Sequence, residues 1–182
     1  MGIKGVNFIV VDVETTGSHP DKNRLTEIAC VVVRDGEIRD KFTSLVNPHQ
    51  FIPQYIANMT GISNEMAFRA PEAADVLPQA RKYFELENSI FVAHNVKFDW
   101  GFVQSSLKRV KLPEIDIPML VVQGENDPRV PVTESEQVVE ALRKEGKTVW
   151  YMNALNEGHG FRKKENSDVS QQVTLMFFEK YL

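Results

Sequence analysis

The chain has 182 residues, of which 42% are hydrophobic and 25% charged, a composition that supports one folded core of ordinary size. Its formal charge of −4 gives no long-range attraction for a polyanion, so tight nucleic-acid binding would require a local basic surface. Because the sequence has neither an 18-residue apolar run nor an export signal, we expect a cytoplasmic protein with no membrane contact.

The first half of the sequence predicts four strands, with helices before and after the fourth. An apolar run from Phe8 to Val13 ends in acidic residues and is predicted to be a central strand, buried on both faces. Leu25 to Arg34 and Glu37 to Val46 flank Asp35-Gly36, which is typical of a tight antiparallel hairpin. The single cysteine, Cys30, lies in this hairpin and is expected to be a buried, reduced thiol. The remaining predicted elements are helices from Pro71 to about Phe84 and from Phe98 to about Val110, and a short strand from Ile90 to Ala93.

The second half continues as alternating strands and helices. Strands are predicted from Pro118 to Gly124 and from Val149 to Met152. Thr133 begins a capping box for a helix that ends near Gly146, and Ser167 caps a final amphipathic helix. Two prolines lie in the segment 111–118, which is the one candidate seam in the chain.

Together these elements predict a single three-layer α/β/α domain over residues 1–182. Its sheet is predicted to contain six mostly parallel strands in the order 3-2-1-4-5-6, with strand 2 antiparallel and helices on both faces. Strand 6 would then form an exposed edge, so we expect a monomer or a dimer that pairs through this edge.

Acidic residues on the first strand and after the fourth indicate metal binding. Asp12 and Glu14 lie two residues apart on the first strand, so both side chains project from one face. Further motifs complete a recognisable set: Thr15-Thr16-Gly17, Thr60-Gly61-Ile62-Ser63, His94-Asn95 and Phe98-Asp99. With these motifs, residues 1 to about 110 resemble the DnaQ-like 3′–5′ exonuclease domains, the proofreading type with four acidic residues and a histidine.

This resemblance implies a Ribonuclease H-like fold in which Asp12, Glu14 and Asp99 hold two Mg²⁺ or Mn²⁺ ions for phosphodiester hydrolysis. The family's last element is a histidine followed five residues later by an aspartate. Downstream of Asp99 this chain has only His159, and Lys164 occupies the aspartate position. We therefore expect an incomplete site that binds metal weakly.

The second half carries a different set of motifs. Residues 120–124, 126–131 and 157–161 resemble the C-terminal end of prolyl-oligopeptidase-like α/β-hydrolases. The resemblance implies that Asp127 and His159 are the acid and the base of a Ser-His-Asp triad. No Gly-x-Ser-x-Gly string occurs in the sequence, so we expect a vestigial, hydrogen-bonded pair without a nucleophile.

Two resemblances within one chain predict a chimera whose halves are residues 1–112 and 113–182. The favoured hypothesis is a recombined, engineered α/β scaffold with no intact active site and no physiological reaction. The alternative is a residual metal-dependent 3′–5′ exonuclease that acts on single-stranded DNA ends, and a serine esterase or peptidase is the third. No partner is expected beyond weakly bound single-stranded DNA.

Overall fold

A computed structural model of the chain describes residues 5–93 and 96–181. The chain divides into two compact units, one ending at Ile115 and the other beginning at Asp116. This boundary falls within the proline-containing segment 111–118. The prediction that both halves build one domain stays a prediction, and each unit is described by itself.

The first unit contains a four-stranded sheet in the order β3-β2-β1-β4. Strand β1 is antiparallel to β2, β2 is antiparallel to β3, and β1 is parallel to β4. The hairpin prediction is confirmed: Asp35 and Gly36 have φ angles of 53° and 79°, as a tight two-residue connection requires. The strands are β1 (Asn7–Thr15), β2 (Leu25–Arg34), β3 (Glu37–Leu45) and β4 (Ser89–Val92).

Four helices accompany this sheet, and two of them were not predicted from the sequence. The unpredicted helices α1 (Gln54–Thr60) and α2 (Asn64–Phe68) have seven and five residues, too few to show a helical period. Gly61 ends α1 in the left-handed conformation, and the Ser63 hydroxyl accepts a hydrogen bond from the Met66 amide to cap α2. The predicted helices are α3 (Ala73–Phe84) and α4 (Val96–Arg109).

Strand β1 is not buried on both faces, as the apolar run predicted. Ile9, Val11 and Val13 are buried, whereas Asp12 is exposed and Glu14 half-buried. The strand therefore alternates with the two-residue period of a half-buried sheet, and the acidic residues share the more accessible face. The buried face of the unit is completed by side chains from β2 and α3: Ile28, Cys30, Val32, Val76, Leu77 and Ala80.

The second unit contains a separate, two-stranded parallel sheet. It consists of β5 (Met119–Gly124) and β6 (Val149–Ala154), with helices α5 (Val132–Lys144) and α6 (Lys164–Tyr181). The fold is therefore mixed α/β, but the predicted single six-stranded sheet is wrong: the described residues form two sheets. Periodicity predicts each strand locally, whereas the pairing of strands depends on tertiary packing that the pattern does not contain.

No helix among the described residues is both long enough and apolar enough to cross a membrane.

Candidate active site

The accessible face of the first sheet carries three carboxylates near the C-terminal end of β1. Asp12 and Glu14 project from this face because they are two residues apart. Glu27 lies directly opposite Glu14 in the antiparallel pairing of β1 with β2, where Cβ atoms are about 4.5–5.5 Å apart. Glu27 was not predicted from the sequence, because the Asp35-Gly36 turn fixes the pairing of β2 with β3 and not the register of β2 against β1.

The pKa of Glu14 is raised above its ordinary value. Partial burial contributes most to this shift, followed by the negative charges of Asp12 and Glu27. The carboxylates thus repel one another across the strand pair. A bound cation would relieve this repulsion.

Asp99 reaches the same part of β1 from the first turn of α4. Its side chain is 4% exposed, and its Oδ1 accepts a hydrogen bond from the Val13 backbone amide at 3.1 Å. Among the described residues, the pairing of β1 with β4 runs to Val10 and Val92, three residues before Val13. The Asp99 carboxylate provides a hydrogen-bond acceptor for the Val13 strand amide.

These carboxylates fit a hard divalent cation by donor type, since Mg²⁺ and Mn²⁺ prefer oxygen ligands. Within residues 5–93 and 96–181, no three His, Cys, Asp or Glu side chains are already arranged to hold a metal ion. His94 and Asn95, which belong to the predicted motif, lie outside the described residues. The assignment of Asp12, Glu14 and Asp99 as metal ligands therefore stays a prediction.

The residues that follow β1 contact the segment just before α1. The Thr15 hydroxyl donates to the Gly17 carbonyl at 2.6 Å, and the Thr16 hydroxyl contacts the side-chain oxygen of Gln50. A Cβ at Gly17 would lie 2.6 Å from the side chain of Asn23, so a larger residue at this position would displace Asn23. Gln50 thereby brings the start of α1 next to the end of β1.

Large apolar side chains are exposed along and just before α1. Phe51, Tyr55 and Met59 are between 70% and 74% exposed and recur every four residues. Ile52 and Ile56, on the other side of the segment, are buried in a small apolar cluster. This exposed row begins one residue after Gln50, close to the end of β1 that carries Asp12 and Glu14.

The second unit contains the predicted acid–histidine pair. His159 Nδ1 and Asp127 Oδ2 are 2.9 Å apart, and Asp127 Oδ1 accepts hydrogen bonds from the amides of Arg129 (2.8 Å) and Val130 (3.0 Å). Burial acts to raise the pKa of Asp127, but the amides of Val130 and Arg129 together with His159 outweigh it, so the pKa is lowered.

Two features hold the loop that carries His159 against the end of β5. A Cβ at Gly124 would lie 2.3 Å from the Gly158 carbonyl oxygen, so these two backbones approach closely only because residue 124 is glycine. The buried Glu157 carboxylate accepts hydrogen bonds from the Arg162 and Lys163 amides just before α6. The pair is therefore preorganised, while its assignment as a vestigial triad acid and base stays a prediction.

Comparison with known proteins identifies a family and relatives for the chain. The profile of the family described as Exonuclease matches residues 9–165. The chain is 41% identical over 108 residues to the PolC-type DNA polymerase III of Staphylococcus saprophyticus, which is 59% of this chain and 7% of the polymerase. The corresponding enzyme of Oceanobacillus iheyensis is 39% identical over 113 residues, or 62% of this chain and 8% of the polymerase. The chain thus spans less than a tenth of the length of these relatives.

The fold is shared with a solved nuclease. The zinc-ion-bound E. coli exonuclease I–single-stranded DNA complex superimposes with a TM-score of 0.56 at 17% identity, covering 60% of this chain and 25% of the nuclease.

These findings correct the favoured functional hypothesis. One family profile extends from residue 9 to residue 165, across the segment 111–118 that was taken as a seam. The prediction of an engineered chimera without a physiological reaction is therefore wrong. The alternative hypothesis, a metal-dependent nuclease, agrees better with the relatives and with the fold.

Proposed function

The chain belongs to the Exonuclease family, and we propose that it is a divalent-metal-dependent 3′–5′ exonuclease acting on single-stranded DNA ends. The main support is that the buried Asp99 carboxylate accepts a hydrogen bond from the amide of Val13, the residue between Asp12 and Glu14. Carboxylates from two distant parts of the chain therefore converge on one short stretch of β1.

In this proposal Asp12, Glu14 and Asp99 hold Mg²⁺ or Mn²⁺. The cation supplies charge stabilisation for the phosphate and lowers the pKa of water. Glu27, opposite Glu14, adds negative charge that favours cation binding. Binding by the free protein is proposed to be weak, since no three described carboxylates are already assembled.

The exposed row formed by Phe51, Tyr55 and Met59 suits the binding of single-stranded DNA. Bases of single-stranded DNA stack on aromatic side chains without sequence preference, at about 1–3 kcal/mol per base. Phe51 and Tyr55 offer such rings one to five residues after Gln50, which contacts Thr16 beside the carboxylates. With a formal charge of −4, the protein should bind DNA weakly and with strong dependence on salt.

Turnover is proposed to be slow. A positioned general base contributes about 10²–10⁴-fold to a rate, and the histidine–aspartate element that the resemblance implies is replaced here by His159 and Lys164. His159 already pairs with Asp127 in the second unit.

The experiment is hydrolysis of a fluorescent single-stranded oligonucleotide with Mn²⁺, with Mg²⁺ and with EDTA. We expect cleavage only with a divalent ion, and a loss of about a hundredfold or more in Asp12→Asn, since even partners behind a metal ligand contribute 10–100-fold. Lys41→Gln removes an exposed charge from β3 and should leave the rate unchanged. Cleavage that persists in EDTA or in Asp12→Asn would refute the assignment.

We also propose that the Asp127–His159 pair is structural and joins the loops after β5 and β6, whatever the ancestry of residues 113–182. Because the folded pKa of Asp127 is lowered, its contribution to stability is present above the unfolded pKa and is lost as pH falls through the folded pKa. Asp127→Asn should therefore destabilise the protein at pH 7 and progressively less in acid. Labelling of a serine by a fluorophosphonate probe would contradict a purely structural role.

A further inference from the structure

The first unit has a cleft on the face of the sheet opposite the carboxylates. It has a volume of about 740 Å³, within the range of roughly 300–1,000 Å³ that is typical of small-molecule sites. Its walls come from β2, β3 and α3. Val32 and Phe42 of the sheet face this side, whereas Glu27 faces the other, because residues on a strand alternate.

One wall of the cleft is aromatic and apolar. The rings of Phe42 and Tyr83 are 6.0 Å apart between centroids and inclined by 34°. Leu86 also lines the cleft and is 40% exposed, so its side chain is accessible to a ligand. These side chains offer an apolar, largely aromatic surface on which a planar ring can pack.

The rim of the cleft is cationic, although the chain as a whole is acidic. Arg34, Arg39 and Lys82 line it, against the two acids Asp35 and Asp40. The Nε of Arg34 is 3.9 Å from Asp35, a loose pair that leaves the guanidinium able to bind an anion. Among residues 5–93 and 96–181, the ammonium of Lys82 forms no ion pair.

The cleft also contains a hydrogen-bond acceptor, the carboxylate of Asp40. The Tyr83 hydroxyl donates to Asp40 Oδ2 at 3.1 Å, and burial together with Asp40 raises the pKa of Tyr83, so the phenol stays protonated. Asp40 keeps further lone pairs for a donor on a ligand. Arg39 lines the cleft, but its guanidinium pairs at 2.9 Å with Glu37, which is not part of the lining.

We propose that this cleft binds a nucleoside monophosphate. The base packs against the rings of Phe42 and Tyr83, and its exocyclic amine donates a hydrogen bond to Asp40. The phosphate binds Arg34 and Lys82. A phosphate alone would leave the rings unused, and the cleft volume suits one nucleotide rather than a strand. The link to function, namely that the ligand is also the product class of the proposed reaction, rests on the proposed function; the site itself rests on the chemistry of the cleft.

The test is isothermal titration of the full chain in EDTA with dAMP, deoxyadenosine and inorganic phosphate. EDTA removes the metal that binding at the Asp12 site would need. We expect dAMP to bind at least tenfold more tightly than either fragment, and at least tenfold more weakly to Lys82→Gln and to Tyr83→Leu. Lys41 lies next to Phe42 on β3 but faces the other side of the sheet, so Lys41→Gln should bind dAMP like the unmodified protein.

Asp12→Ala separates this site from the proposed active site. Unchanged dAMP binding in Asp12→Ala, with DNA hydrolysis lost or never present, supports the cleft irrespective of the nuclease. No dAMP binding, equal affinity for phosphate alone, or loss of binding in Asp12→Ala would each overturn the proposal. Thermal unfolding of Tyr83→Leu confirms that the variant is folded, and Lys82→Gln gives the same test from an exposed position.

Discussion

The Asp99 carboxylate accepts a hydrogen bond from the Val13 amide at 3.1 Å, three residues beyond the last described pair of β1 and β4. This contact fixes a side chain from α4 beside the strand that carries Asp12 and Glu14. It also satisfies a buried backbone donor, so Asp99 has a structural role as well as the proposed role in metal binding.

The two roles of Asp99 can be separated by a matched pair of variants. Asp99→Asn keeps an oxygen that can accept from Val13, whereas Asp99→Ala leaves the amide unpaired, at a cost of about 1–3 kcal/mol. Urea unfolding should show Asn close to the unmodified protein and Ala clearly less stable, while both variants lose Mn²⁺-dependent hydrolysis. Equal stability of the two variants would show that the contact with Val13 contributes nothing.

Glu14 gives a pH-dependent prediction. Its folded pKa is raised by burial, then by Asp12 and Glu27, so the folded state holds the proton more tightly than the unfolded state. This contribution is fully present below the unfolded pKa and is lost as pH rises through the folded value. In EDTA, Glu14→Gln should therefore be more stable than the unmodified protein at pH 7, with the difference closing below about pH 4. A constant difference at all pH values, measured by urea unfolding, would be inconsistent with this coupling.

Gly124→Ala should destabilise the second unit. The added Cβ would meet the carbonyl oxygens of Gly158 at 2.3 Å and Glu157 at 2.8 Å, so the backbone must shift, at about 1–3 kcal/mol. Gly158→Ala is the control, since its Cβ would meet only the Asn126 carbonyl, at an ordinary 3.6 Å. Thermal unfolding compares the two variants, and similar losses would argue against close approach at Gly124.

Cys30 should be chemically inert in the folded protein. It is fully buried, and burial raises the pKa of its thiol to about 12, so almost no thiolate forms near neutral pH. A thiol-reactive disulfide dye at pH 8 should label Cys30 only after unfolding in urea. Rapid labelling without denaturant would contradict the packing of β2 against α3.

Local patterns were enough to predict the strands and the hairpin of the first sheet. The antiparallel hairpin follows from the turn preference of Asp35-Gly36, whereas the order of β3, β2, β1 and β4 was predicted together with the resemblance to a Ribonuclease H-like fold. The sequence did not reveal α1 and α2, because helices of seven and five residues are too short to show a helical periodicity of apolar residues. Their ends are defined by the caps at Gly61 and Ser63.

Features that depend on pairing across the chain were predicted less well. Glu27 became visible as part of the site only through its register with Glu14. The six-stranded sheet was wrong because β5 pairs with β6 alone among the described strands. The absence of a triad nucleophile, and Lys164 at the position where an aspartate was expected, suggested two truncated enzymes. One family profile nevertheless covers residues 9–165.

The carboxylates of β1 and α4 are proposed to remove nucleotides from a 3′ end. The most direct measurement is a time course with Mn²⁺ on a 5′-labelled single-stranded oligonucleotide, alongside the same strand with phosphorothioate linkages at its 3′ end. We predict a ladder that shortens one nucleotide at a time, stops at the modified linkages and is absent in Asp12→Asn. Internal fragments from the protected strand, or an unchanged ladder in Asp12→Asn, would contradict it.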